Sequence, residues 1–299
     1  MSGEDILGSY WTTAGPADPT GTPPPVGGPQ WSPFSWEDRC AHANRVGLRG
    51  LGIWHEDLRH LLETHSLGDL GRIFADAGLE HLELEFLMNW YVPEEDPRRA
   101  ESDAGTRLLF DATAALGARH VKVGNILGIP VGREELVDAF GTLCALAAEE
   151  HDAPIVYELM PPDVNVDSLD KAIDLVTGAG ARNGGFALDT WHLGKLGITP
   201  AMLEALPLEY PLYVELSDGR RENMPSLHEE VTSYRLLPGE GEFELESYVS
   251  TLRNLGYHGP WGCEVLSAEL RALAIETLFD RIAETTSALL ASAAQPVTT

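Results

Sequence analysis

Basic residues are scarce in this sequence. Lys and Arg number 20 against 47 Asp and Glu, a formal charge of −27 at pH 7. So negative a chain repels phosphate backbones, which argues against nucleic acid as a partner. Cysteine is scarcer still: Cys40, Cys144 and Cys263 lie far apart and form no CxxC pair. Reduced, structural thiols are the expectation, as in a cytosolic protein. Long apolar runs are missing as well. The N-terminal MSGEDILGSYWTT carries two early acids and neither a signal-peptide pattern nor a spanning stretch, so the protein is expected in the cytoplasm and off the membrane.

What is present is an alternation. Across 299 residues, 43% of them hydrophobic, short β-rich runs take turns with longer helical patterns. The strand candidates are ILGSYW, GLGIW, HLELEFL, HVKVGN, PIVYELM, GFALDTW, LYVELSD and GPWGCEVL. Helical stretches separate them, the first (SWEDRCAHANRVG) with Ser35 suited to the N-cap and Gly47 to the stop. Eight βα units in strict alternation imply parallel strands and right-handed crossovers, which predicts an α/β fold, a (β/α)8 TIM barrel, as a single domain over 1–299. No GxGxxG follows the first strand, which removes the best reason to prefer an open doubly wound sheet. The loop 14–34, in which seven of 21 residues are proline, leaves the first strand on the catalytic face and is expected to lie over it. Residues 289–299 are expected to form a disordered tail.

Barrel chemistry sits where strands end, and four successive strands end on an acid: Glu158 in YELMP, Asp189 in ALDTWH, Glu215 in VELSDG and Glu264 in GCEVLS. Each interrupts an apolar run, and a carboxylate at that depth is costly unless paired or bound to a cation. Four together suggest a converging cage for a hard divalent ion. The spacings agree, at 31, 26 and 49 residues, the last lengthened by the loop at 219–242.

These stretches carry a resemblance. YELMP, LDTWH, the strand-end VELSDG, YRLLPGEGEFEL and GYHGPWGCEV resemble the sugar phosphate isomerase/epimerase superfamily, the xylose-isomerase-like barrels that include ketose 3-epimerases, inosose dehydratases and inosose isomerases. Weaker likeness runs back through GIWHEDL and HLELEFL. The resemblance implies one divalent cation held by Glu158, Asp189, residue 215 and Glu264, with Glu158 and Glu264 also serving as base and acid. It implies substrate contact by His192, and by Arg221 six residues beyond the third ligand. One departure stands out: the epimerases have His at the third position and this chain has Glu215. Four carboxylates favour Mn²⁺ or Mg²⁺ over Zn²⁺, while the added charge leaves open whether Glu215 ligates directly.

Other candidates come from the strand ends. His192 shares the site with Asp189 only if the chain turns after Thr190, since positions three apart on a strand face opposite ways. His55 closes the second strand within reach of substrate. Glu83 and Glu85 are expected to divide between barrel and helices, with Glu85, nearer the rim, facing substrate. Lys122 in HVKVGN offers either a substrate-side charge that balances the excess carboxylates or an ordinary salt bridge. Trp54, Trp90 and Trp191 offer either a substrate wall or core packing. Few bases lie near the strand ends beyond Lys122, Lys195, Arg220 and Arg221, which leans against a phosphorylated substrate.

The expected function is a metal-dependent isomerase or epimerase of a sugar, keto-sugar or cyclitol, through proton removal α to a carbonyl. The alternatives are a lyase or dehydratase on the same substrate class, including β-elimination from a 3-keto-glycoside, and a non-catalytic binding barrel. The apurinic endonuclease branch of the fold is a further alternative, and the charge of −27 argues strongly against it. A small-molecule sugar is the expected partner, with a homo-oligomer left open.

Overall fold

The computed structural model describes residues 3–21, 27–151 and 153–293. Eight parallel strands close into a barrel in sequence order: β1 (Ile6–Gly8), β2 (Gly50–Trp54), β3 (His81–Leu87), β4 (His120–Val123), β5 (Ile155–Glu158), β6 (Gly184–Asp189), β7 (Leu212–Leu216) and β8 (Trp261–Cys263). Closure is the pairing of β8 with β1, where Leu7 faces Gly262 and Gly8 faces Cys263. The strands coincide with the apolar runs because both faces of a parallel barrel are covered. Helices follow each strand, and the first long one, Trp36–Val46, has Ser35 accepting from the Asp38 amide and Gly47 in the left-handed region at its end.

Two faces of each strand divide the labour. Outward residues such as Ile53, Leu84, Val121, Leu188 and Val214 join the helices in one large apolar core. Inward residues are mostly polar. Val156, Ala187 and Tyr213 form a small separate cluster at mid-barrel, beside His120, whose ring centroid is 4.2 Å from that of Tyr213. Above this layer stand Glu85, Lys122, Glu158, Asp189, Glu215 and Glu264. Two glycines make room for the large polar groups. A Cβ at Gly52 would lie 2.8 Å from Glu83 Oε1 and 2.9 Å from Glu85 Oε1, and one at Gly262 would meet the Tyr213 hydroxyl and Glu215 Cγ.

One expectation is corrected here. Glu83 and Glu85 do not divide between barrel and helices; both point inward, Glu83 toward His120 and Glu85 toward Lys122. Residues two apart on a strand share a face. At the C-terminus, the helix Ile275–Ser292 takes in 289–292, which the sequence reading assigned to the tail; 294–299 lie outside the described residues.

The loop 14–34 is pinned at both ends, while its segment 22–26 lies outside the described residues. Tyr10 donates to the Gln30 carbonyl at 2.7 Å, and the Ser32 hydroxyl donates to the Ala14 carbonyl at 2.9 Å. The Ser32 amide donates to Asp57 Oδ1 at 2.9 Å. Asp57 also binds Arg39 Nη2 at 2.6 Å, a pair shut away from solvent beside the rings of Trp36 and Tyr10. Removing one partner of a buried pair leaves an uncompensated charge. Asp57→Ala is therefore expected to cost about 3–5 kcal/mol in urea unfolding; a loss within experimental error would show that Arg39 is solvated or otherwise paired.

Candidate active site

The acids at the strand ends converge. Oxygens of Glu158, Asp189 and Glu264 and a ring nitrogen of His192 all lie within 4.8 Å of one another, and all four residues are buried. His192 arrives by the turn the sequence required. Asp189 ends β6 and caps the next helix, Thr190–Lys195, with Oδ1 accepting from the Trp191 amide at 2.8 Å. One helical turn then swings His192 back over the barrel. Its Nε2 lies 3.1 Å from Glu158 Oε1 and 3.5 Å from Asp189 Oδ2.

Lys122 stands at the centre of the inward acids. Its ammonium lies 2.8 and 2.9 Å from the two oxygens of Glu215, 2.9 Å from Glu264 Oε1, 3.2 Å from Glu85 Oε2 and 3.8 Å from Glu158 Oε2. Glu215 Oε1 also accepts from the Ser9 hydroxyl at 2.8 Å. Glu215 thus belongs to Lys122 and is not among the four converging donors. Glu85 is held likewise, accepting from the Tyr10 amide at 2.9 Å.

A second cation enters from the loop after β7. Arg235 Nη1 is 2.5 Å from Asp189 Oδ2 and 3.5 Å from Glu264 Oε2, with the guanidinium 4.8 Å from the Trp191 ring centroid. An antiparallel bridge between Asp218 and Leu236 folds the loop back and delivers it. Arg221 is not brought to this cluster. It is 63% exposed and pairs with Glu244, and its amide donates to Glu242. Arg235 is not among the residues expected from the sequence, although it lies in YRLLPGEGEFEL; an arginine opening an otherwise apolar triplet is the signal there.

His55 heads the helix His55–Leu61 and accepts from the Phe86 amide at 3.4 Å; it is not one of the four donors. It lies against Trp54, which with Tyr10, Trp11, Phe86, Met160 and Leu266 forms a buried apolar cluster around the strand ends. Trp90 packs on Tyr91, Phe140 and Tyr157, and Trp191 is fully buried beneath Arg235 and Lys195. Lys195 itself pairs with Glu230.

Two threonines lock the rim. Thr12 Oγ1 donates to the Cys263 carbonyl at 2.7 Å and accepts from the Val265 amide at 2.6 Å, clasping the chain on both sides of Glu264. Thr190 Oγ1 does the same at 2.8 Å to the carbonyl and amide of Ser217, two residues past Glu215.

Burial and charge set the protonation. Burial pushes the Glu158 carboxyl up to about 7 against the pull of Lys122. Burial acts on Glu264 too, but Lys122 and Arg235 outweigh it and bring that carboxyl down to about 2. Burial raises Asp189 against Arg235, and burial with the Glu264 charge raises Glu215. Burial holds the His192 imidazole down to about 4, hence neutral. Five acids (Glu85, Glu158, Asp189, Glu215, Glu264) face two fixed cations, Lys122 and Arg235. Three carboxylates and a neutral imidazole are a suitable donor set for a divalent ion, which would offset the surplus.

Residues 40–285 match the xylose isomerase-like TIM barrel family. The chain belongs to that family. It is 29% identical over 228 residues to the 3-dehydroshikimate dehydratase of Pseudomonas aeruginosa, 76% of this chain but only 35% of the dehydratase. The chain thus spans about a third of that relative's length. With the inosose isomerase of Bacillus velezensis the identity is 23% over 240 residues, covering 79% of this chain and 84% of the isomerase. Among solved structures, the IolI protein with a bound zinc atom superposes at a TM-score of 0.80 with 19% identity, over 98% of this chain and all of that one. An L-ribulose 3-epimerase superposes at 0.69 with 14% identity, over 97% and 95%. The dehydratase, the isomerase and the epimerase among these relatives are enzymes. Among the described residues, no helix is long and apolar enough to cross a membrane.

Two outcomes are expected. Replacing Lys122 by Met strands several buried carboxylates and is expected to cost about 3–5 kcal/mol of stability. The deficit should shrink as pH falls and the acids take up protons, as urea unfolding at two pH values would read. Second, Glu158 holds a proton from its ordinary value of 4.5 up to about 7, and a cation must displace it. Divalent-metal affinity should therefore climb with pH across that window and level off above it. Calorimetry in buffers of different ionisation enthalpy should count the released proton; affinity flat from pH 5 to 8 would remove Glu158 from the site.

Proposed function

We propose that the protein is a divalent-metal-dependent isomerase or epimerase of a keto-sugar or cyclitol. The observation that carries this reading is the convergence of Glu158, Asp189, His192 and Glu264 at the barrel mouth, and likeness to an inosose isomerase along most of that enzyme's length supports it. Glu158, Asp189 and Glu264 would hold the cation, with Mn²⁺ or Mg²⁺ favoured by the oxygen-rich set. Once bound, it supplies Lewis-acid charge at a substrate carbonyl.

The chain's own groups then divide the proton work. Glu158, titrating near 7, suits removal of the proton α to the carbonyl, because a base poised near the working pH transfers most efficiently. The electron pair of the broken C–H bond moves into the carbonyl, and the charge developing on oxygen lies in the field of Arg235. Glu264, kept ionised by Lys122 and Arg235, holds no proton of its own; it relays one taken from solvent to the other side, while Glu158 gives its proton back to solvent, so the protons balance. Return to the same carbon from the opposite face gives epimerisation; return to the neighbouring carbon gives isomerisation. His55 and the aromatic cluster around Trp54 are the proposed substrate contacts.

Likeness to a 3-dehydroshikimate dehydratase favours a second reading. There the same proton removal is followed by expulsion of a β-hydroxyl, which leaves as water after taking up the proton that Glu158 removed. One experiment separates the two. Keto-sugars and inososes are incubated with the metal-loaded protein in D₂O and followed by NMR. Deuterium at the α-carbon without loss of water is expected, slowed about 10²–10⁴-fold in Glu158→Gln. Loss of water would establish the dehydratase reading, and neither exchange nor elimination across the panel would overturn both.

A further inference from the structure

We infer that His192 supplies the fourth protein ligand to the cation, and that Glu215 is no ligand but the fixed counter-ion of Lys122. The inference rests on the metal-dependent reading above and goes beyond it by assigning the ligand set of this chain. Sequence position alone would choose Glu215, the acid that ends β7 between two ligand strands. The side-chain contacts choose otherwise.

Both oxygens of Glu215 are already engaged. Oε1 accepts from Ser9 and from Lys122, each at 2.8 Å, and Oε2 accepts from Lys122 at 2.9 Å. Its stem packs against the backbone at Gly262, where even a Cβ would lie 2.8 Å from Cγ. To reach a cation, Glu215 would have to release a fully buried ammonium from its closest bidentate partner. That exchange is unfavourable, because a stranded buried charge costs more than the pair gains.

His192 has the opposite character. Its Nε2 stands 3.1 Å from Glu158 Oε1 and 3.5 Å from Asp189 Oδ2. Donors at about 2.1 Å from one metal ion lie about 3.0–3.4 Å apart in octahedral or tetrahedral arrangements. Both distances fall close to that range, so the ring sits where a ligand nitrogen belongs. Its other nitrogen, Nδ1, is buried with no hydrogen-bond partner. The ring is thus held by the acids it faces and by its place on the helix after Asp189, not by a hydrogen bond from behind. Arg235 Nη2, 3.5 Å from Nε2, is the group that a cation would displace from this nitrogen and from Asp189.

The test uses Mn²⁺ alone on the metal-stripped full chain, with calorimetric affinity and pulsed EPR for nitrogen coupling, the histidines carrying ¹⁵N in a parallel sample. One bound Mn²⁺ with a histidine-nitrogen coupling is expected. His192→Gln should lose the coupling and bind Mn²⁺ more weakly by at least the about 10–100-fold that even an outer partner of a ligand costs. Glu215→Gln should keep the coupling and shift affinity by less than His192→Gln does. Bound Mn²⁺ without coupling in the unmutated protein, or coupling that survives His192→Gln, would overturn the assignment while leaving the metal-dependent reading intact. No bound Mn²⁺ would overturn both. Should either variant fail to fold by circular dichroism, the ¹⁵N-histidine spectrum of the unmutated protein decides on its own.

Discussion

The ammonium of Lys122 is the interaction on which the rest of this barrel depends. Four glutamates from four strands reach it, at 2.8–3.8 Å, in an interior closed to solvent. Without a buried cation, carboxylates that close could not be ionised together. With it, Glu215 and Glu264 are tied across the floor of the site, and Glu85 joins them from the far side. The glycines at 52 and 262 belong to the same arrangement, since the space beside each is taken by these acids or their neighbours. A barrel normally fills its interior with branched apolar side chains. This one replaces much of that filling with fixed charge and moves the apolar packing to the outer layer, where strands meet helices.

Placing charge inside has a structural consequence at the rim. The strand ends must be rigid enough that opposing acids stay apart until a cation or substrate separates them. Thr12 and Thr190 supply that rigidity by joining neighbouring strand ends through single hydroxyls that both donate and accept. Asp218 does related work in the loop that carries Arg235, accepting from the amides of Gly219, Gly239, Gly241 and Phe243. The second cation of the site is therefore delivered by a loop, but by one anchored at its base.

Much of this was legible in the residues, and the parts that were not have physical reasons. The eight strands and the acids that end four of them showed as apolar runs with a charged interruption, a signal carried within a few residues. His192 was conditional on a turn, and the turn exists because Asp189 caps a helix that starts at the very next residue. Lys122 was legible as a compensating charge but not as a centre, because the distances to Glu85 and Glu264 depend on closure of the whole barrel. Arg235 was missed in favour of Arg221 because its entry depends on the non-local bridge between Asp218 and Leu236. Glu83 was misplaced by a parity error that the two-residue repeat of a strand corrects.

The two cations also make the site asymmetric, and the asymmetry bears on its chemistry. Glu158 and Glu264 are the same residue type at equal depth, yet one is held near 7 and the other near 2. The difference is placement. Glu264 lies between Lys122 and Arg235, 2.9 and 3.5 Å away, whereas Glu158 is 3.8 Å from Lys122 and faces a neutral imidazole. Pairs of carboxyls pushed apart in this way separate the roles of acid and base within one cavity. In the proposed reaction, a substrate proton would thus meet one carboxylate able to take it and another already committed to holding charge. Lys122 and Arg235 impose that distinction before any ligand arrives, so exchanging Glu158 and Glu264 in a scheme for this site would put the proton on the group least able to keep it.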